Sequence, residues 1–203
     1  ALEFQVFADN KRRYDQIRLL DPGGRETVRV NFDGHRARVV AAQALQDKSE
    51  RYYFPPALAM KAGQIYLSPL DLNVEEGRIE TPLKPTMRFA TPVFDREGGK
   101  RAVLVLNYLG EQLLSNFVHA AANIADHVQL VNSEGYWLRS PDPSLEWGQM
   151  LGTGANFGLQ FFIITNQAYA VAGTGKLFRQ QLRALAFAIH EHAARERRGI
   201  DSV

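Results

Sequence analysis

The stretch from Gln64 to Gly110 constrains this chain most. It reads Gln64-Ile-Tyr-Leu-Ser-Pro-Leu-Asp-Leu-Asn73, then Glu75-Glu-Gly-Arg-Ile-Glu-Thr-Pro-Leu-Lys-Pro85, then Met87-Arg-Phe-Ala-Thr-Pro-Val-Phe-Asp95, a glycine turn and Ala102-Val-Leu-Val-Leu-Asn-Tyr-Leu109. Apolar, β-branched and aromatic runs of this length are strands. Between them lies a polar, proline-rich arm, expected as a loop of about 15 residues, and loops that long inside a compact domain are functional or disordered. Its prolines, carboxylates and cations suit a lid over a pocket.

Upstream, Leu2, Phe4, Val6 and Phe7 lie among helix formers, and residues 1–13 are read as the end of a helix that begins earlier. Tyr14–Leu20 and Glu26–Phe32 alternate, with Asp21-Pro-Gly-Gly24 as the turn of a β-hairpin. Ala41–Ala62 is rich in alanine and leucine and interrupted at Pro55-Pro56, which predicts two short helices. Gln64–Ser68, Met87–Phe94 and Ala102–Tyr108 are expected strands, and Gly110 opens an amphipathic helix through Phe117 to about Ile124. Near His127 the pattern restarts. Val128–Val131, the turn Asn132-Ser-Glu-Gly135 and Tyr136–Arg139 echo the first hairpin as a weak internal repeat. A proline-rich loop at 140–147 and a glycine-dotted apolar stretch at 148–174 follow, and Lys176–Arg198 reads as a long amphipathic helix.

Composition removes several function classes. The 24 Lys and Arg stand against 22 Asp and Glu, and the one dense basic cluster, Arg195, Arg197 and Arg198, reads as a solvated helix end, so nucleic acid is not an expected partner. Cysteine is absent, which excludes disulfides, thiolate catalysis and Cys-ligated zinc. No apolar run reaches the roughly 18 residues of a membrane span. The chain starts at Ala1 without Met and is read as a fragment of a longer protein.

Motifs for chemistry are weak. Gly173-Thr-Gly-Lys176 lacks the first glycine of a phosphate loop, with Ala170 in its place, and has Leu177 where a hydroxyl should meet magnesium. His190 and His192 fall on different helix faces, and no metal or cofactor is expected. Glu75, Glu76 and Glu80 read as solvent-facing, and no Gly-x-Ser-x-Gly elbow supplies a nucleophile. The cations inside strands are more informative. Arg18, Arg29 and Arg88 lie in apolar segments, and alternation sets Arg88 opposite Met87 and Phe89. A buried arginine must be paired, either with a carboxylate such as Asp15, Asp71 or Glu80 or with the carboxylate or phosphate of a small ligand. Tyr66 and Ser68 alternate along the strand leading into the arm, as core residues or as part of a concave wall.

These residues also carry a resemblance. Tyr14-Asp-Gln-Ile-Arg18, Asp21 with Gly24, Glu26 and Arg29-Val-Asn31, Leu45-Gln-x-Lys48 with Arg51-Tyr-Tyr-Phe54, the 64–73 run, Glu80-x-Pro82 with Lys84-Pro85, the 88–95 run and Asn107-Tyr resemble double Cache, or double PDC, sensor domains of bacterial membrane receptors. The resemblance covers roughly residues 10–157. Asn132-x-x-Gly-Tyr-Trp137 and Glu146-Trp-Gly148 look like the opening of a second Cache unit. After Phe157 the chain departs from that unit's pattern, and the Tyr-x-x-x-Arg-x-Trp-Tyr signature of amino-acid-binding relatives is absent, so amino acids are not implied.

The resemblance implies an α+β fold, with PAS-like antiparallel sheets flanked by helices in two tandem units, 1–125 and 126–203. It implies a sensing input domain without activity of its own, on the periplasmic or extracellular side of the cytoplasmic membrane. Its expected partners are a small-molecule ligand, a cytoplasmic output domain of the same chain (histidine kinase, or next diguanylate cyclase) and a second copy in a homodimer. The candidate ligand-binding residues are Arg88, Tyr66, Ser68, Arg29 and Lys84. The alternatives are a small α+β hydrolase using carboxylates of the 71–80 arm, and a dimerisation module that binds no small molecule.

Overall fold

The structure, a computed structural model, describes residues 1–120, 129–156 and 170–171. Contacts divide the chain into two compact units, Ala1–Phe117 and Val118–Val203.

In the first unit, helix α1 (Leu2–Lys11) precedes strands β1 (Tyr14–Leu20), β2 (Glu26–Phe32) and β3 (Ala37–Val39). A 3-10 turn at Ala42–Ala44 and helix α2 (Phe54–Ala59) lead to four short strands, β4 (Tyr66–Leu67), β5 (Asp71–Leu72), β6 (Val74–Glu75) and β7 (Arg78–Ile79). The long strands β8 (Pro85–Phe94) and β9 (Lys100–Leu109) follow, and helix α3 (Gly110–Ala120) starts where β9 ends. The main sheet is antiparallel in the order β3-β2-β1-β9-β8-β4, with β5 pairing β8 beyond β4.

Alternation gives this sheet two working faces. On one, Ile17, Val30, Phe32 and Ala37 pack with Ala8 and Phe4 of α1, an i,i+4 pair on the helix. On the other, Leu20, Ala90, Val103 and Val105 pack with Tyr53, Phe54 and Ala57 around α2. The second face is apolar only at one end. Toward the arm, the same parity of β1, β2, β8 and β9 brings Gln16, Arg18, Arg29, Asn31, Arg88 and Asn107.

Three expectations change. The Ala41–Ala62 segment holds one 3-10 turn and one six-residue helix, because Pro55 and Pro56 follow Phe54 in the first turn of α2, where proline's missing N–H costs nothing, and so help start the helix instead of breaking it. The arm is no open loop. Its centre is the β6–β7 hairpin, which turns through Glu76 (φ 50) and Gly77 (φ 76); positive φ at both positions marks the two-residue turn whose twist suits a hairpin. Finally, Glu75 and Glu80 are partly buried, and of the three glutamates only Glu76 faces solvent.

In the second unit, β10 (Leu130–Val131) pairs antiparallel with β11 (Trp137–Arg139) and parallel with β12 (Ala170–Val171), and the short helix α4 spans Gly148–Leu151. Leu130, Val131, Trp137, Leu138 and Trp147 are buried. The hairpin turn repeats that of the first unit in atomic detail. Asp21 Oδ1 accepts from the N–H groups of Gly23 and Arg25, and Asn132 Oδ1 from those of Glu134 and Tyr136. Gly24 (φ 90) and Gly135 (φ 86) close the two turns. The end of the helix expected to reach Ile124, the start of the strand at Val128, Gly173–Lys176, the Lys176–Arg198 helix, His190 and His192 lie outside the described residues.

Candidate functional site

Two adjacent rungs of the sheet carry the site. Asn31, Gln16, Asn107 and Arg88 stand side by side across β2, β1, β9 and β8. The next rung runs Arg29, Arg18, Val105, Ala90 and Tyr66. Such a polar stripe on a covered sheet face must be satisfied from the elements above it, and here the arm does so.

Arg88 is 1% exposed. One end of its guanidinium donates to Asp71 Oδ1 at 2.6 Å and to the Tyr52 hydroxyl at 3.3 Å, and the other end donates to Asn73 Oδ1 at 3.0 Å. The rings of Tyr52 and Tyr53 lie 6.0 and 5.2 Å from its central carbon, within cation–π range. Burial alone would lower its pKa, but the Asp71 carboxylate and the tyrosine oxygens outweigh that and raise it. Tyr52 donates its hydroxyl to Asp71, and burial together with that carboxylate pushes its phenol well up. Ser68 Oγ accepts from the backbone N–H of Arg88 at 2.8 Å and donates to the Pro69 carbonyl, so it fixes the strand and not the guanidinium. Tyr66 packs beside the α2 cluster, and burial raises its pKa, with Asp71 adding to the shift and Arg88 opposing it.

Around Arg18 the pairing is denser. Its Nη2 donates to Glu75 at 2.6 Å and to Gln16, and Nη1 reaches the Tyr53 hydroxyl and Asn107 Oδ1, both at 3.4 Å. Lys48 meets the other Glu75 oxygen at 3.2 Å. Burial would raise the Glu75 carboxyl, but Arg18 and Lys48 prevail and hold it below its ordinary range. Burial, aided by Arg18, lowers the Lys48 ammonium. Arg29 donates to Glu26 Oε2 at 3.0 Å and to the Ala44 carbonyl at 2.8 Å.

Asn73 joins the parts. Its amide nitrogen donates to Glu80 at 2.9 Å while its oxygen accepts from Arg88. Glu80 in turn accepts from Lys84 at 2.6 Å, and Lys84 also reaches Asp15 on β1 at 2.9 Å. A register shift between Tyr14 and Gln16 frees Asp15 from ordinary alternation. Of the five residues expected at the site, Arg88, Lys84 and Arg29 thus belong to one connected network. Ser68 touches it through the Arg88 backbone N–H and the Tyr52 hydroxyl, and Tyr66 stands at its edge. Glu26, Lys48, Tyr52, Asn73 and Asn107, which lie in the runs that carry the resemblance but are not among the five candidates, belong to the network too, as does Glu75, which reads from sequence as solvent-facing. The signal for Asn107 was present, since it shares the parity of Val103 and Val105 in an apolar strand.

Five cations, Arg18, Arg29, Lys48, Lys84 and Arg88, each contact at least one of five carboxylates, Asp15, Glu26, Asp71, Glu75 and Glu80. The arrangement can bind and reposition polar groups. It offers no nucleophile poised beside a base, and among the described residues no His, Cys, Asp and Glu cluster is suited to a metal ion. No described helix is long and apolar enough to cross a membrane.

Residues 3–163 match a family model described as the sensor domain of bacterial histidine kinases. Among solved structures, a domain of a sensory box/GGDEF family protein from Vibrio parahaemolyticus is 27% identical with a TM-score of 0.65, covering 79% of this chain and 60% of that one. The extracellular domain of a protein designated histidine kinase vpHK1S-Z8 is 27% identical with a TM-score of 0.64, covering 79% of this chain and 57% of that one. The periplasmic sensory domain of the Campylobacter jejuni chemoreceptor Tlp1 shares the fold at 14% identity and a TM-score of 0.50, over 71% of this chain and 55% of that one. The chain therefore spans 60% or less of the length of these structures. No curated protein matches it.

Proposed function

The chain belongs to the family of bacterial histidine kinase sensor domains, and from that premise we propose that it recognises a small molecule outside the cytoplasmic membrane as part of a double Cache module. As a sensor domain it is an input module and not an enzyme. An extracytoplasmic location is supported by the similarity to an extracellular kinase domain. Two tandem units are supported by the repeated Asp21 and Asn132 turns.

The observation that carries the binding reading is the connected polar network beneath the 71–84 arm. Arg88 lies at its centre, Tyr66 and Ser68 at the β4 edge, Lys84 at the arm's end and Arg29 behind. Because the network is neutral in itself, a ligand acts by displacing a partner, not by neutralising a lone cation. A carboxylate or phosphate suited to the Arg88 fork would compete with Asp71. Rearrangement of the arm would then favour one conformation of the receptor, and the resulting population shift would pass to a cytoplasmic output, a histidine kinase first and a diguanylate cyclase second, in a homodimer.

The experiment is thermal unfolding of the purified chain against carboxylates, phosphates, amines and sugars. A ligand at about 100 times its dissociation constant adds roughly 2.7 kcal/mol, which raises the midpoint by roughly 5–10 °C for a chain of this size. The shift should disappear in Tyr66→Ala and Ser68→Ala. Absence of any shift across the panel would favour the ligand-free interaction module.

A further inference from the structure

One ammonium fastens the C-terminal end of the arm. Lys84 Nζ lies between Asp15 Oδ1 at 2.9 Å and Glu80 Oε1 at 2.6 Å. Glu80 and Lys84 both belong to the arm and Asp15 to β1, so the Asp15–Lys84 contact is the ion pair that crosses from arm to sheet here. Two carboxylates therefore share one cation here, whereas Glu75 meets two, Arg18 and Lys48, and Glu26 meets two, Arg18 and Arg29. Asp15 is buried, and its Oδ2 has no hydrogen-bond partner. The charged groups facing it are Lys84 and Glu80 from the arm and Arg18 from its own strand, and Arg18 is already committed to Glu26 and Glu75. A buried carboxylate with half its acceptor capacity unmet, close to a second carboxylate, is a ready proton acceptor. Burial raises its pKa against the pull of Lys84, so a release that removes Lys84 while the strand keeps Asp15 buried raises its proton affinity further, and acid favours the released arm.

We propose that Asp15, Lys84 and Glu80 form a proton-operated latch: proton uptake by Asp15 releases the Lys84 end of the arm from β1, so the cover of the candidate ligand site loosens as pH falls. On protonation the Asp15–Lys84 contact loses the attraction between opposite charges and keeps only the ammonium's weaker hydrogen bond to an uncharged carboxyl, while the ammonium stays with Glu80. The latch rests on the binding reading above for its role in sensing, but its mechanics need no ligand.

Two backbone amides report on it. Asn73 donates to the Lys84 carbonyl at 2.8 Å, and Glu80 donates to the Asn73 carbonyl at 3.0 Å. NMR hydrogen exchange of both amides, corrected for intrinsic rates, should rise roughly 3- to 10-fold between pH 7.5 and 4 while the Val105 amide of β9 holds steady, as loss of one such bond predicts. The Asp15 carboxyl carbon should titrate in the same step, above the ~3.9 of a free aspartate. In Asp15→Asn the two amides should exchange fast at both pH values, without a step. An Asp15 midpoint at or below the free value, or a wild-type step surviving in Asp15→Asn, overturns the latch. Should that variant not fold, Lys84→Met decides in its place: the step must vanish there, and its persistence refutes the proposal. Neither result bears on whether a small molecule binds, which the thermal-shift panel reads separately.

Discussion

Arg18 stands directly opposite Arg29 across the β1–β2 pair, and both guanidinium groups close on one carboxylate, that of Glu26. Glu26 Oε1 lies 3.1 Å from Arg18 Nε, and Oε2 lies 3.0 Å from Arg29 Nη1 and accepts the Gln46 N–H. Two like charges on neighbouring strands repel, so their tolerance depends on that carboxylate. Glu26→Gln keeps the shape and removes the charge. It should cost about 3–5 kcal/mol, the range for breaking a buried pair, read as a lower urea midpoint at unchanged slope. Replacing Arg18, Arg29 and Glu26 together with apolar residues should cost much less.

Arg88 offers a sharper separation of charge from geometry. Arg88→Ala strands Asp71 and Asn73 and should destabilise by about 3–5 kcal/mol. Arg88→Lys keeps the charge but cannot span Asp71, Asn73 and Tyr52 at once, and should cost about 1–3 kcal/mol. A double-mutant cycle of Arg88→Met with Asp71→Asn should return a coupling of about 0.5–3 kcal/mol. A coupling near zero would mean that the 2.6 Å ion pair contributes nothing to the fold.

Much of this network could be read in advance, and the reason is periodicity. β8 runs for ten residues, long enough for alternation to separate Arg88 from Met87 and Phe89, and its partner Asp71 is one of the three carboxylates that the sequence offers for it. Burial of Glu75 could not be read so. Its cations, Arg18 and Lys48, lie 57 and 27 residues away, and nothing in a polar Glu-Glu-Gly turn distinguishes a solvated carboxylate from one folded onto a sheet. Pro55-Pro56 failed for a different reason. Proline both ends and starts helices, and the choice depended on Phe54 and Ala57 reaching the core formed by Leu20 and Val103.

Stability should respond to acid through Glu75. Its folded pKa lies below its unfolded value, because Arg18 and Lys48 outweigh burial. The stability it contributes is therefore complete above the unfolded pKa of ~4.3 and is lost as pH falls through the folded value. Glu75→Gln should flatten the acid limb of the stability curve, by at most about 1.4 kcal/mol per pH unit for one proton. Asp15 has the opposite sign, since its folded pKa is raised. What it contributes is present below the unfolded pKa and lost as pH rises, so Asp15→Asn should steepen the acid limb. Denaturant melts of the wild type and both variants between pH 3 and 7 would reveal the two signs, and equal slopes in all three would refute the assignment.

Gly24 and Gly34 share φ +90 and differ in what surrounds them. A Cβ on Gly24 would lie 2.6 Å from Ser49 Cα and 2.8 Å from its nitrogen, whereas one on Gly34 would meet nothing within 4 Å. Gly34→Ala should therefore cost only the left-handed backbone penalty, about 1–2 kcal/mol. Gly24→Ala adds a backbone clash and must push the 46–49 segment outward, although Lys48 donates its own N–H to the Gly24 carbonyl at 2.8 Å. That displacement carries the Lys48 ammonium away from Glu75 and loosens the arm's hold on Arg18. The difference between the two variants in thermal or urea unfolding should exceed about 1 kcal/mol. Glu75→Gln should also cost less in the Gly24→Ala background than in the wild type, because the two changes act on one contact; strict additivity would mean that the close approach at Gly24 does not position Lys48.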